Sequence, residues 1–303
     1  MKRFNGIALS VAFCSLASQA ALAQTKIDTL KVQNLNEVIV KGVRAAKEAP
    51  YAVANIRKSE LKQFSCSGQE LPFLLSRTPG ILAWSENGIG TGTTYMRIRG
   101  AAGSRINVTL DGVALNSPED QTVFWANMNS YSSLLGSIQV QRGVGSSTNG
   151  DGAFGGSISM ATAAPSLTPT AEVTGSFGSY NTCHTGASFS TGLLGKHLIF
   201  DGAYHETATD GYVDGTAGRS GSYYGGLTWL SDNFKVSYKN IGNFEKTGQA
   251  WNGVLGGDYN SNFSLLQDGI RTYKDMYKAG LDKFNVLTGD MVRNGKGDYT
   301  ITP

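Results

Sequence analysis

The sequence predicts a mixed α+β domain followed by antiparallel transmembrane β-strands, and three observations carry that reading. Between residues 95 and 162 lie four short runs, at 95–100, 105–113, 137–143 and 155–162. Each alternates β-formers with polar residues and ends in a turn residue, as half-buried strands do. Helical spacing is confined to the stretch just before them. After residue 170, segments of about ten residues alternate apolar and polar side chains with a dyad period, the pattern of membrane strands.

Composition agrees with a β-rich chain. Of 303 residues 39 are glycine, 16% are charged and 10% are aromatic, which suits short strands and turns better than helices. The net charge of +3 has no concentrated basic patch, so no nucleic-acid partner is expected.

The first residues set the compartment. Lys2 and Arg3 precede a short apolar run at 7–17, and Ala21-Leu22-Ala23 supplies a small-x-small cleavage site, so residues 1–23 are expected to be a removable export signal. The run is too short to span a bilayer. A lipoprotein signal at Cys14 is disfavoured by the bulky Phe13. Cys66 and Cys183 then remain, far apart in sequence, and are expected to be separate thiols with no metal-site spacing.

Residues 24–48 are polar and form an arm. Within it Leu35-Asn36-Glu37-Val38-Ile39-Val40 is extended and apolar. It fits either the first strand of the next domain or a peptide that adds to a partner's sheet edge. A short turn is expected from a Ser59 cap through Leu61 and Phe64. A second helix within 67–77 puts Leu71, Leu74 and Leu75 on one face, and Thr78-Pro79-Gly80 stops it. Residues 84–94 are a glycine-rich loop, and Asp111-Gly112 marks a tight turn. Residues 116–129 form another loop with an exposed-looking Phe124-Trp125 pair. Gly150 to Gly155 spells G-x-G-x-x-G, but strand residues follow where the dinucleotide fingerprint needs a helix, so the match is accidental.

Past Pro169 the alternation is clear. Leu198, Phe200, Gly202 and Tyr204 oppose His197, Asp201 and His205; Tyr223, Leu227 and Trp229 oppose Tyr224 and Thr228; Phe234, Val236 and Tyr238 oppose Lys235, Ser237 and Lys239. Long links are expected over 206–221 and after Asn243, and short ones near 192–195 and 231–233. That parity fits a membrane barrel. A soluble β-sandwich would not readily set aromatics at strand ends like an interfacial belt. No nucleophile, base and orienting group recur near one another, so no catalytic residues are assigned, and the three histidines show no metal site. No cofactor is expected.

The order of parts resembles a TonB-dependent outer-membrane receptor. The fragments that carry the likeness are Arg97-Ile98-Arg99-Gly100, Leu110-Asp111-Gly112-Val113, Ile138-Gln139-Val140-Gln141-Arg142-Gly143 and Gly155-Gly156-Ser157-Ile158-Ser159-Met160. Gln139 departs from the acidic residue usual there, and Val144 stands where proline is frequent.

The resemblance implies a plug domain over 49–165 inside a barrel whose first strands occupy 171–303, in a Gram-negative outer membrane and in contact with its lipid. Residues 35–40 would be the TonB box, engaging an inner-membrane energy-transducing complex. Arg97, Arg99 and Arg142 would latch plug to barrel, unless they are ordinary surface arginines. Trp84, Asn87, Gln121, Phe124 and Trp125 would meet a small-molecule or glycan ligand such as a siderophore or vitamin, although Phe124 and Trp125 equally suit packing on the barrel wall. A plug-like binding module that does not transport, or a remnant of a disrupted receptor, is the alternative; an exported enzyme is weaker than either. A plugged transporter barrel has about 22 strands, and only about five fit here at about ten residues each. The chain is therefore expected to be a receptor's N-terminal part. An open strand sheet in lipid leaves unpaired backbone groups. Expression of residues 24–303 alone should yield no folded, heat-modifiable barrel on gel electrophoresis, and recovery of one would refute the expectation.

Overall fold

The computed structural model describes residues 44–45, 50, 52–144, 152–231, 234–250 and 272–285. The export signal, the 35–40 segment and Gly150 lie outside them. In the first half, β1 (Ala52–Arg57), β6 (Leu135–Arg142), β7 (Gly156–Thr162), β4 (Ile106–Leu110) and β5 (Val113–Ala114) form one sheet in that spatial order. β4 and β7 run parallel, and every other neighbouring pair is antiparallel. A separate ribbon pairs β2 (Ile81–Ser85) with β3 (Thr94–Ile98).

Helices α1 (Lys58–Ser65) and α2 (Leu71–Leu75) pack into the core of this sheet. α1 starts before the expected Ser59 cap: Arg57 is the capping residue, and its N–H donates to Glu60 Oε1 at 3.3 Å. Glu60 satisfies one of the orphan amides of the first turn, which a serine cap would otherwise do. Leu71, Leu74 and Leu75 are all buried, beside Leu61, Phe64, Ile98, Ile106, Ile138, Val140, Ile158 and Met160. Side chains of this size each contribute about 1.5–3 kcal/mol when fully buried.

The glycine tract serves close packing. Gly155 donates to Arg105 O and accepts from Gly143 N–H, each at 2.8 Å. A Cβ on Gly155 would stand 2.5 Å from Ala101 Cβ and 3.1 Å from Arg105 O. β7 begins at the next residue, so no helix N-terminus is present to hold a phosphate.

The second half is an antiparallel meander. β8 (Thr170–Phe177), β9 (Cys183–Ser190), β10 (Leu198–Thr209), β11 (Gly218–Leu230) and β12 (Lys235–Thr247) pair in sequence order, and among the described residues the sheet remains open. In the link at 178–182, Tyr180 and Asn181 both have positive φ, 57° and 52°, and Thr182 N–H donates to Ser179 O at 3.1 Å across them. One face carries exposed Val173, Phe177, Phe200, Tyr204, Tyr223, Leu227, Trp229, Val236 and Tyr238, while the other buries His184, His205, Thr207, Ser220, Ser222 and Thr228. An apolar outer face over a polar inner one is the arrangement of a membrane barrel wall. Aromatic rings on the outer face lie over glycines directly opposite them, Phe189 on Gly202 and Tyr223 on Gly242. The aromatic covers the backbone that the glycine leaves bare.

Two expected links are shorter than the sequence pattern indicated. β10 continues to Thr209 and β11 starts at Gly218, so half of 206–221 is strand. Those strand ends read Glu206-Thr207-Ala208-Thr209 and Gly218-Arg219-Ser220-Gly221, which carry no apolar alternation although the backbone pairing persists. The stretch after Asn243 is likewise not all loop. β12 runs to Thr247, and α3 (Tyr273–Lys278) forms behind Thr272, whose Oγ1 accepts from Asp275 N–H at 3.2 Å while Asp275 Oδ2 accepts from Thr272 N–H at 3.0 Å. Gly155→Val should destabilise the first domain by about 1–3 kcal/mol through overpacking against Ala101, read by Trp125 fluorescence in a urea titration.

Candidate functional site

The site is the seam between the first domain and the strand wall. At one end the Asp111-Gly112 turn, with φ of 50° and 86°, turns the Asp111 carboxylate back toward β7 and out toward β12. Asp111 accepts from Thr162 N–H at 2.9 Å, from Thr162 Oγ1 at 2.8 Å and from Lys239 Nζ at 2.9 Å. Lys239 also donates to Thr162 Oγ1. Burial pushes the Asp111 carboxyl upward, but the hydrogen bonds from Lys239 and Thr162, with the lysine charge, outweigh it and hold the group below its usual value. A second ion pair, Lys62–Glu172 at 2.8 Å, is largely exposed and therefore contributes little.

Farther along the wall Asn129 Nδ2 donates to Glu245 Oε2 at 3.1 Å, and Asn243 Nδ2 donates to Ala126 O at 3.3 Å. Behind them Glu70, only 2% exposed, accepts from Ser130 N–H at 3.1 Å. Burial drives the Glu70 carboxyl well above the ordinary range; the Ser130 hydrogen bond opposes this, and the Glu245 charge adds to it. A cavity of about 450 Å³ opens between the domain and the wall, with Lys62, Glu172, Asp201, His205 and Tyr224 among its lining residues.

At the far end of the wall the loops interlock. Tyr212 N–H donates to Asn87 O at 2.9 Å, and Ala250 N–H donates to Glu86 Oε2 at 3.3 Å. The rings of Tyr180 and Tyr212 meet edge-on at 5.5 Å, with Lys283 Nζ at 5.6 and 5.5 Å from their centroids. Tyr212 also bonds Asp282, and Asn285 Nδ2 donates to Asp214 O at 2.8 Å. The 272–285 segment thus straps the two hairpin ends together.

The root of the N-terminal arm is held on the central strands. Arg44 donates to Ser159 O at 2.9 Å, to Ser159 Oγ at 3.1 Å and to Ser137 Oγ at 3.1 Å. The Gln139 side chain copies a backbone pairing, accepting from Ala45 N–H at 2.7 Å and donating to Ala45 O at 3.2 Å. A carboxylate at this position could accept but not donate, so the glutamine has a reason.

The other sequence candidates scatter. Arg97 is exposed, 6.0 Å from the Trp84 ring centroid, and donates to Gly100 O at 3.4 Å. Arg99 sits in a turn with φ of 50°, and Arg142 donates to Pro79 O at 2.8 Å. Among the described residues none of the three joins a salt bridge. The ion pairs seen at the seam have the acid of Asp111 and the base of Lys62 on the first domain, and neither was singled out beforehand. The D-G turn beside a strand that ends in threonine was the available signal for Asp111. Trp84 stacks on Tyr95 at 5.5 Å and 20°, and Tyr95 donates to Glu86 Oε1 at 2.7 Å, which with burial pushes its hydroxyl up to about 12. Asn87 is not exposed: it is 3% accessible, and its Oδ1 accepts from Ile89 N–H at 3.1 Å, shaping the loop. Trp125 is buried in the core at 6%, whereas its neighbour Phe124 is 62% exposed, because the short 3-10 turn at Trp125–Met128 rotates the two apart. Gln121 lies with Phe124 on the 115–124 loop, away from the Trp84–Tyr95 stack.

Residues 45–157 match the family model for the TonB-dependent Receptor Plug Domain. This segment is similar to a TonB-dependent receptor plug. Solved structures extend the likeness into the wall. The chain superposes on the unliganded ferric citrate transporter FecA with a TM-score of 0.55 at 18% identity, covering 79% of this chain and 35% of that one. For Pseudomonas aeruginosa FpvA bound to heterologous pyoverdines the values are 0.56, 17%, 71% and 28%. For the ferric yersiniabactin uptake receptor FyuA from Yersinia pestis they are 0.52, 17%, 67% and 33%. At these identities the likeness is one of fold, a plug followed by antiparallel wall strands. The chain spans about a third of the length of these structures. No curated protein matches it.

The Asp111 contact yields a pH prediction. Because its carboxyl is depressed on folding, its contribution is fully present above the unfolded value of about 3.9 and is lost as pH falls through the lower folded value. Asp111→Asn should lower stability by about 0.5–1 kcal/mol at neutral pH, since solvent screens a contact that is about a third exposed on both sides. The difference from the parent should vanish in acid, as measured by melting temperature against pH in detergent.

Proposed function

We propose that the protein is a TonB-dependent outer-membrane receptor that takes up a scarce ligand in a Gram-negative bacterium, with residues 35–40 as the segment engaged by the inner-membrane energy-transducing complex. The observation that carries this reading is the clamp at the arm root. Arg44 and Gln139 fix the arm on β6 and β7, and β7 ends at Thr162, which shares the Asp111–Lys239 contact with the wall. A pull on the arm would therefore load the same two strands that the wall holds. Force delivered to a hydrogen-bonded strand edge is a natural way to disturb such a seam.

The ligand would meet the exposed face of the β2–β3 ribbon, where Trp84 and Tyr95 stack beside Arg97. Aromatic faces with a neighbouring guanidinium suit a planar or anionic chelate. Phe124 and Gln121 would offer a second contact from their own loop. FecA, FyuA and FpvA are named for ferric citrate, ferric yersiniabactin and pyoverdine, and an iron chelate is the ligand class we favour over a vitamin or glycan. Arg99 and Arg142 remain candidates to meet carboxylates elsewhere in the barrel.

The test separates binding from uptake. In cells expressing the receptor, Val38→Pro removes a backbone donor from the extended segment. It should abolish energy-dependent uptake of the labelled chelate while surface binding stays within about twofold of the parent. Equal uptake by variant and parent would end the proposal.

A further inference from the structure

Two carboxylates meet one buried dipeptide from opposite sides. Glu70, which opens α2 in the plug, holds Ser130 N–H, and Glu245 on β12 holds the Asn129 amide, both at 3.1 Å. Each engages a single oxygen. Glu70 Oε1 and Glu245 Oε1 are closed off from solvent with no hydrogen-bond partner. Asn129 is 0% exposed, and its Oδ1 is also without a partner although the other end of the same amide rests on Glu245. Gly92 comes up against Glu245 Oε1, where a Cβ would lie at 3.2 Å, and Thr94, two residues on, has a buried hydroxyl without a partner.

With both carboxyls ionised, Glu70 Oε1 and Glu245 Oε1 can only accept, as Asn129 Oδ1 does. No rotation of one toward another can satisfy them. Among the described residues no lysine or arginine forms a salt bridge with Glu70 or Glu245, and Glu86, whose charge also bears on Glu245, has the same sign. Buried charge persists in proteins where it is paired or coordinates a metal. What this cluster lacks is positive charge.

We infer that Glu70, Glu245 and Asn129 form a binding site for a hard divalent cation of the calcium type, which ties the plug to the barrel wall. Two carboxylates and a neutral amide oxygen are calcium ligands, and calcium accepts irregular geometry with water completing its shell; magnesium demands a near-ideal octahedron. The inference is independent of which ligand the receptor carries.

The test uses receptor purified from outer membranes, stripped with EDTA and titrated with calcium chloride by calorimetry. The parent should bind one calcium per chain saturably, and Glu70→Gln and Glu245→Gln should each weaken that binding at least tenfold. Calcium should raise the melting temperature of the parent and not of the variants. Absence of saturable binding in the parent, or unchanged binding in both variants, would overturn the site. So would a parent that ignores calcium but loses stability as pH rises, with Glu70→Gln abolishing that loss, because a shared proton would then occupy the place of the cation. Should the variants fail to reach the membrane, terbium titration of the parent decides. Emission excited through Trp125, displaced by excess calcium and lost in Trp125→Phe, supports the site, and no emission overturns it.

Discussion

A wall of strands with one apolar face must satisfy the polar atoms of its other face against whatever packs there. Here the inner face presents histidine, serine, threonine, lysine and glutamate, and the plug presents Asp111, Asn129 and backbone carbonyls to them. That requirement orders the rest. It explains why the Asp111-Gly112 turn points outward from the plug core, why Thr162 ends its strand, and why Lys239 lies on the polar side of β12. Hydrophobic packing holds the plug together internally, through Leu61, Phe64, Leu75 and the strand residues around them. The seam mixes polar contacts with apolar ones, since Ala203, Tyr224 and Ile241 of the wall pack against the plug core.

The seam is also uneven. At the Asp111 end charge is matched by Lys239, while at the Glu70–Glu245 end like charges approach each other across the same boundary. Elsewhere the cavity near His205 leaves part of the boundary unfilled. The arm root lies on β6 and β7, so a disturbance entering there reaches Thr162 through a single strand. Coupling of that kind needs only local hydrogen bonds and a stiff strand, with no long-range rearrangement.

Legibility followed how local each signal was. Leu71, Leu74 and Leu75 announce a helix face because their spacing is itself the physical cause of burial. Tyr223, Leu227 and Trp229 announce an outer strand face for the same reason. The strand ends at 206–209 and 218–221 were not readable in this way, since their residues carry no apolar period and are held by pairing with neighbours. Phe124 and Trp125 looked alike in sequence and part company at a 3-10 turn that only packing fixes. Asn87 looked like a ligand contact and is a loop brace.

By itself the sequence determined the division into a mixed sheet domain and a strand wall with one apolar face, because hydrophobic period and turn chemistry act over a few residues. It determined the family resemblance through four short fragments in order. Only the tertiary structure decided which charges meet. Asp111 and Lys239 are 128 residues apart in the chain, and no local rule relates them. Arg97, Arg99 and Arg142 had drawn attention as charges in a strand-rich stretch, yet in the folded chain two of them rest on main-chain carbonyls while an aspartate in a turn meets the wall. Burial and pairing are properties of two surfaces brought together, and a single strand's pattern records only its own half.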